Sequence, residues 1–194
     1  MRASAALLFA MMLLLASCGR GEVQPGASDI TGAMPRLAFT MTRANDGATV
    51  TAESYRGKVT LLYFGYTHCP DACPTTLANL ASVLEKLGPR ANDVRVLFVS
   101  VDPKRDTLPI LKAYVNTFAP QIDGLRGTDD QIAALARRYR VLYAVTPDSS
   151  GQNPKVMHSD STFVFARDGR ARLVTTDTSN TITIQGDIER LLAG

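Results

Sequence analysis

Cys69 and Cys73 stand with three residues between them in Phe64-Gly65-Tyr66-Thr67-His68-Cys69-Pro70-Asp71-Ala72-Cys73-Pro74, the stretch that concentrates the most potential chemistry in this 194-residue chain. An apolar run of β type precedes it and a helical pattern follows. In an open α/β sheet, ligands gather beyond the C-terminal ends of the strands. Unpaired N–H groups at a helix start favour negative charge. The second effect eases formation of the thiolate, which is the nucleophile and the metal ligand. If the segment coils, a separation of four puts the sulfurs on one side about one turn apart. Pro70 and Pro74 argue for a looped or loosely coiled Cys69 to Cys73, with the regular helix starting near Pro74. That arrangement exposes both sulfurs.

Two soft sulfurs suit a soft metal such as Cu(I), and an imidazole as third ligand would also suit Cu(II). Zinc competes, although structural zinc usually takes four protein ligands. The same dithiol could instead exchange with disulfides. A purely structural disulfide here would close a tiny loop and constrain little of the unfolded chain. His68 could tune the Cys69 thiolate or move protons, or be only a polar group in an exposed loop. Asp102, after a second apolar run in Ser100-Val101-Asp102-Pro103-Lys104-Arg105-Asp106-Thr107, could support the site from behind. Equally, it could belong to a turn whose Asp106 or Thr107 caps the next helix.

The chain carries a formal net charge of +3, no long basic run and no tryptophan. Nucleic acid is therefore excluded as a partner. Three cysteines are too few for a disulfide-built scaffold. Residues 1–17 read as a secretory signal, with Arg2 ahead of an apolar run from Ala5 to Ala16 that is short for a membrane span. Leu15-Ala16-Ser17-Cys18 resembles a lipobox, which makes Cys18 the lipidated first mature residue and leaves Cys69 and Cys73 as the free pair. Residues 18–35, rich in Gly, Pro and Ser, read as a flexible spacer. The remaining domain, 36–194, is expected at the cell membrane, facing the periplasm or another extracytoplasmic space.

Hairpin runs Leu37 to Thr42 and Ala48 to Ala52 flank the turn Asn45-Asp46-Gly47. Val59 to Phe64 and Val94 to Val101 read as strands buried on both faces. Helices are predicted from near Pro74 to Leu87, ended by Gly88-Pro89, over Leu108 to Phe118, and after the capping box Thr128-Asp129-Asp130-Gln131. Gly124 to Gly127 and Leu142 to Thr146 are short strand candidates, and Pro147 to Pro154 is a surface loop. Strands over Ser161 to Ala166 and Arg172 to Thr176, joined at Asp168-Gly169, precede a last helix between Thr183 and Leu192. This order predicts an α/β fold: a thioredoxin-like sheet with flanking helices, an added N-terminal β-hairpin and an insertion before the C-terminal β-hairpin.

In such a fold the loop entering the Ser161 strand lies against the cysteine loop. Thioredoxins place a proline there; here His158 occupies the neighbourhood, and the space suits an imidazole ligand. Met157 is a softer candidate, better explained by core packing.

These motifs resemble the Sco/SenC family. The Phe64 to Pro74 run looks like its signature, Ser100 to Thr107 like its second motif, and His158 like its histidine, across Phe39 to Leu192. The resemblance implies a thioredoxin-like fold and one copper held by Cys69, Cys73 and His158. It also implies a role in maturing the binuclear copper centre of cytochrome c oxidase, as copper donor, thiol reductant or both. The oxidase copper-centre subunit is then a partner, with another periplasmic copper chaperone or thiol reductant beside it. One departure is Met157, where many members have Asp. A thiol–disulfide oxidoreductase using Cys69 and Cys73 as a redox pair is the enzyme alternative. A thiol peroxidase is a weaker one, since Phe64 to Cys69 does not match Pro-x-x-x-Thr-x-x-Cys.

Overall fold

A computed structural model describes residues 27–149 and 154–194. The signal segment, Cys18 and most of the expected spacer lie outside the described residues. Strands β1 (Ser28–Asp29), β2 (Thr40–Arg43), β3 (Thr49–Thr51), β4 (Val59–Gly65), β5 (Val94–Ser100) and β6 (Ile122–Arg126) join β9 (Thr162–Phe165) and β10 (Ala171–Thr175) in one sheet. Its order is β1-β10-β9-β4-β5-β6-β2-β3. A second, two-stranded sheet pairs β7 (Tyr143–Thr146) with β8 (Lys155–His158). Helices α1 (Ala72–Leu87), α2 (Leu108–Asn116), α3 (Asp129–Arg138) and α4 (Thr181–Ala193) cover the faces. Among the described residues no helix is long and apolar enough to cross a membrane.

The central strands are apolar at nearly every position because both faces are covered. Along β4, Leu61 and Tyr63 enter the core under α1 and α4, while Leu62 and Phe64 enter the core under α3. This is the period-2 alternation of a strand. The expected thioredoxin-like sheet and N-terminal hairpin are both present. That hairpin, β2–β3, extends the sheet antiparallel to β6. The capping box forms as its residues suggest: Gln131 N–H donates to Thr128 Oγ1 at 3.2 Å, and Thr128 N–H to Gln131 Oε1 at 2.8 Å. Gly88 ends α1 with φ of 56°.

Topology brings three chain segments to one end of the sheet. β4 and β5 run parallel, with Gly65 beside Ser100, so the loops after both strands emerge together. β9 runs antiparallel to β4, with Thr162 opposite Tyr63. The residues entering β9 therefore arrive where the cysteine loop departs.

Three expectations change. The fold starts earlier than residue 36: Ser28 and Asp29 pair with β10, and Ile30 and Met34 pack on the core. The spacer thus loses its last residues to the sheet edge. α1 starts at Ala72, not near Pro74, because Pro74 falls in the first turn, where amide hydrogens have no intrahelical partner anyway. His158 ends a strand instead of lying in a loop: β8 pairs with β7, Tyr143 opposite His158, and this hairpin is the insertion.

Candidate metal centre

Cys69, Cys73 and His158 converge, their donor atoms all within 4.8 Å of one another. Both cysteines are free thiols. His158 Nε2 lies 3.3 Å from Cys73 Sγ. The other ring nitrogen, Nδ1, faces the Ser159 carbonyl at 3.2 Å. A carbonyl only accepts, so Nδ1 carries the proton and Nε2 presents its lone pair to the sulfurs. The His158 side chain is 4% exposed. Tyr63 and Tyr66 stand edge-on to its ring, each at 5.9 Å between centroids.

The Cys73 backbone N–H donates to Cys69 Sγ at 3.3 Å. One of the unpaired amides at the helix start thus meets the sulfur, as the helix-terminus argument anticipates for Cys69. At Cys73 burial overrides this effect. Cys73 is wholly buried and Cys69 half-buried, so the loop does not expose both sulfurs. Burial pushes the Cys73 thiol up to about 12, outweighing the Tyr66 backbone group that acts the other way. In the metal-free protein the Cys73 thiol keeps its proton, and its S–H donates to His158 Nε2. Alkylation of the reduced, copper-free protein will accordingly modify Cys69 first, with Cys73 slower by at least about an order of magnitude. Peptide mass analysis over time checks the order; equal rates would contradict the burial.

Sulfur and imidazole donors sit about 2.0–2.3 Å from a bound ion. A threefold arrangement then separates donors by roughly 4 Å, close to the spacing of this trio, so two sulfurs and one imidazole fit a soft ion such as copper. Gly65 permits this packing. A Cβ there would lie 2.5 Å from the Phe98 ring and 2.9 Å from Cys73 Sγ. Gly65→Ala should destabilise by about 1–3 kcal/mol through overpacking and weaken copper binding by displacing the sulfur. Thermal denaturation with copper titration checks both.

The remaining sequence candidates take other places. His68 is 49% exposed and its Nδ1 meets Thr67 Oγ1 at 3.1 Å, outside the trio. Asp102 is buried and pairs with Arg105. The Arg105 guanidinium lies 6.0 Å from the centre of the Tyr66 ring. Asp102 therefore bears on His158 indirectly, through Arg105 and Tyr66. Met157 is 58% exposed, not packed in the core. Thr107 precedes α2 without a side-chain cap.

Asp106 is the residue whose part the sequence pattern understates. Its fully buried carboxylate accepts from Thr67 N–H at 3.1 Å, Thr67 Oγ1 at 2.6 Å and Ser100 Oγ at 2.5 Å. It ties the loop after β5 to the start of the cysteine loop. Arg126 secures the same loop by donating to the Pro103 and Asp106 carbonyls. The one local signal is a carboxylate six residues after Ser100, within the Ser100 to Thr107 motif.

Residues 31–193 match the SCO1/SenC family model. Among solved structures, the chain is similar to Bradyrhizobium japonicum ScoI with copper bound, at 37% identity and TM-score 0.74 over 81% of this chain and 99% of that one. It is also similar, at 25% identity and TM-score 0.70, to a SCO1/SenC family lipoprotein from Bacillus anthracis, over 84% of this chain and 97% of the other. BsSco has the same identity with TM-score 0.66, over 88% of this chain and 99% of its own. It is described as having a disulfide switch and as a member of the Sco family of cytochrome c oxidase assembly proteins. The chain spans only 31% to 62% of the length of the first curated relatives it matches.

Proposed function

This chain belongs to the SCO1/SenC family, and from that premise we propose that it is a membrane-tethered, extracytoplasmic copper carrier serving assembly of the binuclear copper centre of cytochrome c oxidase. One copper ion is its cargo, held by Cys69, Cys73 and His158. The observation that carries this reading is the bare Nε2 of His158, held 3.3 Å from the Cys73 sulfur by the bond from Nδ1 to the Ser159 carbonyl. An imidazole fixed in that tautomer beside a dithiol is a preformed set of soft and borderline donors. Loading displaces the thiol protons, so uptake strengthens as pH rises. The ScoI relative with copper bound supports the choice of metal. Tethering rests on Cys18 and the apolar run before it; the Bacillus anthracis lipoprotein is a relative in keeping with it.

A second reading, thiol–disulfide exchange with a partner, is favoured by the two free thiols. The BsSco disulfide switch is in keeping with it. Copper and thiol equivalents passed to an isolated oxidase copper domain, measured together, separate the two. Copper appearing on an acceptor whose thiols are already reduced supports the carrier. Reduction of an acceptor disulfide with the copper retained supports the reductase and overturns the carrier.

A further inference from the structure

Among the described residues, four buried side-chain hydroxyls lack a hydrogen-bond partner: those of Tyr63, Tyr114, Ser159 and Thr162. Tyr63 and Ser159 adjoin the donor trio, and Thr162 and Tyr114 lie behind Tyr63. Thr162 is wholly buried and faces Tyr63 across the β4–β9 ladder. Ser159 directly follows His158. The Tyr114 ring packs on Phe98, whose ring packs on Tyr63.

Tyr63 is the most constrained of them. It is wholly buried, and its ring stands edge-on to His158. Its hydroxyl interacts with both Cys73 and Thr76 but reaches full hydrogen-bond geometry with neither. Burying a donor without an acceptor is costly, and phenylalanine would fill the same space without that cost. A neutral thiol is a weak acceptor, whereas a thiolate is a strong one. The acceptor that suits this phenol is therefore the Cys73 sulfur once it has lost its proton.

We propose that Tyr63 is a positioning residue of the copper centre, whose phenol O–H donates to the Cys73 thiolate when the metal is bound. This rests on the copper reading above and deepens it. The hydrogen bond holds part of the thiolate charge in an otherwise apolar pocket and turns a sulfur lone pair toward the ion. It also lowers the energy of the sulfur electrons that give Cu(II)–thiolate charge transfer. The metal-free thiol form, a weak acceptor, gains little from the hydroxyl.

The test compares full-length protein and its Tyr63→Phe variant, reduced and then loaded with Cu(I) or Cu(II). The expected result is unchanged 1:1 stoichiometry, a charge-transfer band moved to longer wavelength, and about tenfold weaker Cu(I) binding, as for loss of a hydrogen bond to a charged group. Metal-free thermal stability should hold or rise, so the stabilisation gained on copper binding shrinks. An unmoved band with unchanged affinity overturns the proposal. So does an equal loss of stability with and without copper, which marks a purely structural role. Should the variant not fold, fluorotyrosine incorporation into the native sequence makes the phenol a stronger donor and should move the band to shorter wavelength; no movement overturns the proposal. A wild-type protein without any thiolate band refutes the copper reading itself, a failure distinct from the others.

Discussion

Replacing His158 with alanine will lower copper affinity by more than about a hundredfold. Changing a residue that only supports a ligand commonly costs about 10–100-fold, and here a proposed ligand itself is lost. Two sulfurs remain, one of them buried and protonated without metal, and Cys73 S–H loses its acceptor at 3.3 Å. Competition against a chromophoric Cu(I) chelator measures the loss, and the Cu(II) spectrum should change with it. The fold should survive, because His158 ends a short hairpin outside the main sheet. Unchanged affinity and spectrum would mean the imidazole is no ligand.

Asp106→Ala should produce a large stability loss although Asp106 touches no donor atom. The carboxylate accepts three hydrogen bonds from Thr67 and Ser100. Its removal leaves buried donors unsatisfied at about 1–3 kcal/mol each. These costs do not add in full within one network, so a net loss of about 3 kcal/mol is expected, or roughly 6–12 °C in Tm for a domain of this size. Copper affinity should fall too, since Thr67 anchors the loop that leads to Cys69. Asp106→Asn keeps the shape but turns one oxygen into a donor facing donors, and should recover only part of the loss. Thermal denaturation and copper competition on both variants decide it. A stable Asp106→Ala protein with native affinity would show that the loop is held elsewhere.

The features legible in the sequence are those with strong local signals. Val59 to Phe64 is too uniformly apolar to be anything but a strand covered on both sides, and the helix after it ends on Gly88-Pro89. The order of the motifs carries the convergence of Cys69, Cys73 and His158, because an antiparallel β9 returns to the same sheet end. What stays hidden depends on distant packing. β1 is two polar residues, recognisable only by their pairing with Leu173 and Val174. β8 has a single buried residue, and its partner strand lies beyond a loop. Cys73 is buried in one core cluster with Tyr63 and Phe98, a packing the local pattern does not show. Asp106 reads as a helix cap until Thr67, 39 residues away, is found donating to it.

The edge strand at Ser28 has a consequence for geometry at the lipid surface. On the proposed lipid attachment at Cys18, only about ten residues separate the anchor from the β1 pairing at Ser28, where a start at residue 36 would have left nearly twice as many. At most about 3.3–3.6 Å per residue, the leash reaches no farther than roughly 35 Å. The domain would therefore patrol a shallow zone above the bilayer, and an acceptor would have to present its empty copper centre within that zone.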